Sequence, residues 1–216
     1  MASKSSILLR IPLMLLAAGD LTLLALRLRP WPEVANLPGQ GTTGYDPAIC
    51  LTTYLFLLFW IGGNRDEKIQ KSLRIGFGLA IPAGLLAIAY VFLSDQQTQR
   101  GFYTQIGLLA AASVFWGVAG MKGSKLANSP NVGIAAGAWS AMISALMATA
   151  AALARIDLNN PLPQSADPWK QYQGLAIGNQ AIQSMVHQLN MSTGFMLISP
   201  LVGGALGLIF AMVVQD

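Results

Sequence analysis

The chain has 216 residues, 54% of them hydrophobic and only 10% charged, with 22 Gly and 11 Pro. A soluble domain carries roughly 25% charge, and here the apolar residues fall in long blocks, so the expected solvent is lipid. The formal charge of +4 comes from basic residues lying between those blocks, which argues for topology signals and against a nucleic-acid face; the single cysteine, Cys50, excludes an intramolecular disulfide.

Six membrane spans are expected, near 7–28, 47–63, 75–94, 103–121, 132–154 and 191–214. Each approaches the ~20 residues that cross ~30 Å of hydrocarbon as a helix. The first contains LMLLAAGDLTLLALR, with Asp20 near its middle. It has a basic start and an apolar core but no good small-x-small cleavage site, so it is expected to stay as a span. A carboxylate at the centre of a span costs ~2.5–3.5 kcal/mol on insertion scales, so Asp20 should face the bundle interior. Arg27 is two turns away on the same face, ~10 Å along the axis, and is expected to reach outward.

The connector RPWPEVANLPGQGTTGYDP is rich in Pro and Gly and reads as irregular surface structure. The second span is short. After it, NRDEKIQKSLR is strongly basic. With the N-terminus inside, Lys4, Arg10, Arg65, Lys68, Lys71, Arg74, Lys122 and Lys125 fall on the inner side. Arg27, Arg29, Arg100, Arg155 and Lys170 fall on the outer side, which makes up the 13. Both termini are therefore expected to be cytoplasmic.

The third span contains Pro82, and the fourth contains Ser113. In the fifth, Gly133, Gly137, Ala141, Ala145 and Thr149 recur every four residues, beside a second ridge of Ala136, Ser140, Ser144, Ala148 and Ala152. The sixth repeats the spacing with Ser199, Gly203, Gly207 and Ala211 and contains Pro200. Such ridges let helix backbones touch, which drives association in lipid. Between these two spans, residues 155–190 form a long outer loop. Asp167–Pro168 reads as a helix start, and Trp169, Tyr172, Leu175, Ile182, Met185, Val186 and Leu189 then follow helical spacing. An outer amphipathic helix is expected there.

Residues 76–92, GFGLAIPAGLLAIAYVF, echo residues 194–210, GFMLISPLVGGALGLIF. Gly76, Phe77, Leu79, Pro82, Ala87 and Phe92 are matched at a constant offset. A weaker echo sets Asp20 against Ser113. These matches suggest two inverted three-helix halves, 1–94 and 103–216, as in many secondary transporters. In that arrangement Pro82 and Pro200 would each free a mid-membrane carbonyl.

Catalytic chemistry is absent from the pattern. The one histidine, His187, excludes bis-His haem and His-box metal sites within one chain. No nucleophile lies near a base, no Gly-rich loop cradles phosphate, and no Cys pair supports redox work. No enzyme activity, metal or cofactor is expected. The expected fold is an all-α integral membrane protein of six transmembrane helices forming a single polytopic domain. The expected function is translocation of a small solute or ion, with Asp20 proton-sensitive, Pro82 and Pro200 at helix breaks, and Ser113, Ser144 and Ser199 as polar lining. Gly133, Gly137, Gly203 and Gly207 are expected to pack helices. The alternative is a non-catalytic subunit of a larger membrane complex or a self-associating scaffold. The expected partners are the lipid bilayer and further copies of the chain or other subunits.

Overall fold

The computed structural model describes residues 4–29, 34, 45–62, 66–93, 99–156 and 180–215. Among them are six α-helices and no strand: α1 (Lys4–Leu28), α2 (Tyr45–Gly62), α3 (Glu67–Leu93), α4 (Gln99–Ala127), α5 (Pro130–Arg155) and α6 (Gln180–Gln215). Five of them, all but α2, are long and apolar enough to cross a membrane. In α2 the apolar stretch is shorter, Tyr45–Ile61. This is the make-up of a multi-pass helical membrane protein.

Several helices run past the apolar blocks. α3 starts at Glu67, well before residue 75, because Asp66 caps it: the Asp66 Oδ1 accepts from the backbone N–H of Lys68 at 2.8 Å. Glu67 and Lys71 then pair one turn apart at 2.7 Å. α6 has 36 residues, about 54 Å of helix, far more than the hydrocarbon needs. Residues 157–179 of the expected amphipathic helix lie outside the described residues. Residues 180–190 belong to α6 itself, so His187 sits on a helix and not in a loop.

The α4–α5 turn is tight. Asn128 adopts a left-handed backbone, φ 52°, and the N–H of Ser129 bonds the Ser124 carbonyl at 3.2 Å. These are the marks of a Schellman ending, with Asn in the place usually taken by Gly. Pro130 follows at the first turn of α5, where its missing N–H costs nothing.

α5 is the central helix. It packs against α1, α3, α4 and α6, most extensively on α6. In its span 72% of residues are buried, against 22–33% in the other four. Its small residues explain this. A Cβ on Gly203 would lie 2.7 Å from the Gly137 carbonyl oxygen, and one on Gly207 2.6 Å from that of Gly133. A Cβ on Gly137 would strike the Gly203 carbonyl, and one on Gly120 of α4 would strike the Gly207 Cα. Three backbones therefore meet where Gly133, Gly137, Gly203 and Gly207 lie, with no room for a Cβ on any of the four.

α1 and α2 form a hairpin at the edge of this core. α1 lies on α5 and α2 touches α6. The neighbours of α1 are α2 and α5, with slight contact to α3, whereas α4 lies against α3, α5 and α6. Exchanging residues 1–94 for 103–216 does not reproduce this pattern of neighbours.

Candidate functional site

Asp20 belongs to the buried stripe Leu13, Ala17, Asp20 and Leu24 on α1, each no more than 2% exposed. The 4-3-4 spacing keeps the four residues on one helical face, and that side of the bundle packs into the large core cluster with Trp139, Met142 and Leu146 of α5. The carboxyl Oδ2 has no hydrogen-bond partner among the described residues. Arg27 does not serve it: an Arg27 terminal NH2 nitrogen donates to the Ala154 carbonyl at 3.3 Å. That carbonyl is one of the last four of α5, which lack partners within the helix. Arg155 does the same for α3, donating to the Val91 carbonyl while its guanidinium lies 5.8 Å over the Phe92 ring. Two arginines that read in the sequence as topology signals thus also cap helix ends across the bundle.

The remaining candidate residues separate into distinct places. Ser144 is already engaged. It accepts from Trp116 Nε1 at 3.1 Å and donates to the Ser140 carbonyl at 2.7 Å. It therefore pins α4 to α5. Pro200 is half-buried in a helix that continues through it. Its ring removes the N–H that would have bonded the Met196 carbonyl. The Tyr54 hydroxyl of α2 donates to that carbonyl instead, at 2.6 Å and fully buried. The freed carbonyl thus docks the hairpin onto α6. Pro82 is half-buried in α3, which also runs on unbroken.

Ser113 and Ser199 share one site. Both line a crevice of about 310 Å³ between α4 and α6, with Trp116, Phe195 and Ile198 beside them and Tyr90 of α3 at one end. The crevice opens on the side of the bundle, where Ile198 is 60% exposed. Behind Phe195 a water-sized cavity of about 10 Å³ is lined by Thr149, Gln188 and Ser192. The Thr149 hydroxyl is buried and has no hydrogen-bond partner among the described residues. No group of three or more His, Cys, Asp or Glu among the described residues is arranged to hold a metal ion.

Asp20 and the crevice are separate sites, since α1 is a main neighbour of neither α4 nor α6. Tyr54, Trp116 and the two arginine caps were not singled out from sequence. Only Pro200 gave a signal for Tyr54, because a helical proline implies an orphan carbonyl four residues earlier.

No protein family, curated protein or solved structure matches the chain.

Proposed function

We propose that the protein translocates a small solute or ion across its membrane, with Asp20 as the proton-sensitive group. The observation that supports this is the Asp20 carboxyl itself, 1% exposed on a membrane helix, with an Oδ2 that has no hydrogen-bond partner among the described residues. A buried acid without a partner opposes folding, and intramembrane acids are retained where they act in ion or proton pathways. Both termini are cytoplasmic in this scheme, as the basic connector 64–74 suggests. The sequence echo that pairs Pro82 with Pro200 hints at inverted halves, but the role of Asp20 does not depend on it. Ser113 and Ser199 supply polar lining on the far side of α5.

The test is proton flux in proteoliposomes, read by an entrapped pH-sensitive dye under an imposed potassium diffusion potential. Candidate solutes are added in turn. Wild type should carry a flux that depends on pH, and Asp20→Asn, which keeps the shape but cannot exchange a proton, should lose that dependence while staying folded. An unaltered rate and pH profile in Asp20→Asn would end the proposal.

A second function, as a subunit or self-associating scaffold, is favoured by the outer face of α2. Ile49, Phe56 and Trp60 lie there at helical spacing and are each more than 60% exposed, and aromatic residues are enriched at protein interfaces. Light scattering of the purified protein in detergent distinguishes a monomer from an oligomer.

A further inference from the structure

We infer that the crevice between α4 and α6 binds one neutral, lipid-soluble molecule whose planar ring carries carbonyl or hydroxyl oxygens, the chemistry of quinones and phenols. The inference shares Ser113 and Ser199 with the transport proposal but makes no use of Asp20, so its failure leaves the proton role of Asp20 untouched.

The hydroxyls supply the first argument. Most Ser and Thr side chains in these helices fold back on the carbonyl one turn earlier: Thr22 at 2.9 Å, Thr52 at 2.8 Å, Thr53 at 2.8 Å and Ser192 at 2.8 Å. Ser113 and Ser199 make no such bond among the described residues, and both face the crevice. Ser199 is 4% exposed, so the crevice is where its remaining surface points. Unpaired hydroxyls at hydrocarbon depth are costly, and a hydrocarbon chain offers them nothing. An occupant bearing oxygens does.

The walls supply the second. Tyr90 and Phe195 form a tilted ring pair, centroids 5.4 Å apart. The Trp116 indole, 3% exposed, is held in place by its bond to Ser144, so the wall it forms needs no ordering when a ligand enters. No charged side chain lines the space, which selects a neutral ligand. About 310 Å³ is at the lower end of ligand pockets. It suits one substituted ring, with an alkyl tail leaving sideways into the bilayer.

The test uses the full chain in lipid nanodiscs. The probes are a decyl-substituted benzoquinone and decylbenzene, which has the same tail and no oxygens. Binding is read as saturable quenching of tryptophan fluorescence by the quinone, with decylbenzene as competitor. The wild type should saturate at one quinone per chain. Ser113→Ala and Ser199→Ala should each weaken binding about tenfold, the loss of one hydrogen bond of ordinary strength. Gly194 also lines the crevice, and a Cβ there meets nothing within 4 Å. Gly194→Leu should therefore fold normally and abolish binding by filling the space. Quenching that rises linearly and equally in all variants would mean that bilayer chains alone occupy the crevice. Displacement of the quinone by an equal concentration of decylbenzene to half its bound level would mean an apolar slot without recognition by the serines. Either result overturns the inference.

Discussion

α5 meets its neighbours in two opposite ways. On α4 and α6 it is backbone against backbone, through Gly120, Gly133, Gly137, Gly203 and Gly207. On α1 it meets large apolar side chains, on the buried face that also carries Asp20, whose Oδ2 has no hydrogen-bond partner among the described residues. The first contact leaves no slack at these glycines. The second is made of larger side chains, Leu13 and Leu24 of α1 with Trp139, Met142 and Leu146 of α5, and Asp20 shares that buried face of α1. α5 and α4 are also the least hydropathic of the five long spans, and α6 and α3 the most. α5 is nonetheless the buried one. In lipid, greasiness gives a helix no reason to leave the bilayer, so small size rather than hydropathy decides which helix sits at the centre.

The largest effect should come from breaking the tight contact. Gly137→Leu drives a side chain into the Gly203 carbonyl and should cost about 3 kcal/mol or more, read as a collapse of thermal stability in detergent. Gly107→Ala on α4 is the control. Its Cβ would meet nothing within 4 Å, and the exchange should stabilise by roughly 0.5–1 kcal/mol through helix propensity. Equal effects of the two would mean that the crossing has slack after all.

On the α1 side the sign reverses. Asp20→Leu replaces a buried acid, whose Oδ2 has no partner among the described residues, by an apolar group, so it should raise stability by about 1–3 kcal/mol while removing function. Chemical unfolding in mild detergent measures it. A loss of stability would make Asp20 a structural pin whose partner is yet to be found.

Smaller still is the Tyr54 contact. Tyr54→Phe strands the Met196 carbonyl and should cost about 1–2 kcal/mol. Pro200→Ala restores the N–H that the helix lacks, so in the double variant the carbonyl is bonded internally and most of the Tyr54→Phe loss should vanish. Additive losses in that cycle would mean the hydroxyl does not serve the carbonyl freed by proline.

The helical segments were legible because uninterrupted apolar blocks leave few alternatives in a membrane. Their ends were less so. Residues 67–74 look like a polar connector, and the Asp66 cap, the Glu67–Lys71 pair and the burial of Ser72 and Leu73 explain why they continue α3 outward. The four-residue ridges pointed to close packing of the fifth and sixth helices, but not to α5 as the centre, since a ridge does not name its partner. The inward face of Asp20 followed from its cost in lipid. The engagement of Ser144 by Trp116 and of Met196 by Tyr54 did not, because each joins residues far apart in the chain. Without knowledge of those partners, Ser144 resembled Ser113 and Ser199, and only the structure separates an occupied hydroxyl from two that face a crevice.

The central claim, that the Asp20 carboxyl exchanges a proton inside the bundle, is tested most directly by infrared difference spectroscopy of the reconstituted protein across a pH series. The account predicts a carboxylic-acid carbonyl band that titrates with pH in the wild type and is missing from Asp20→Asn. A wild-type spectrum in which no such band changes between acidic and alkaline pH, or one identical to that of Asp20→Asn, would contradict it.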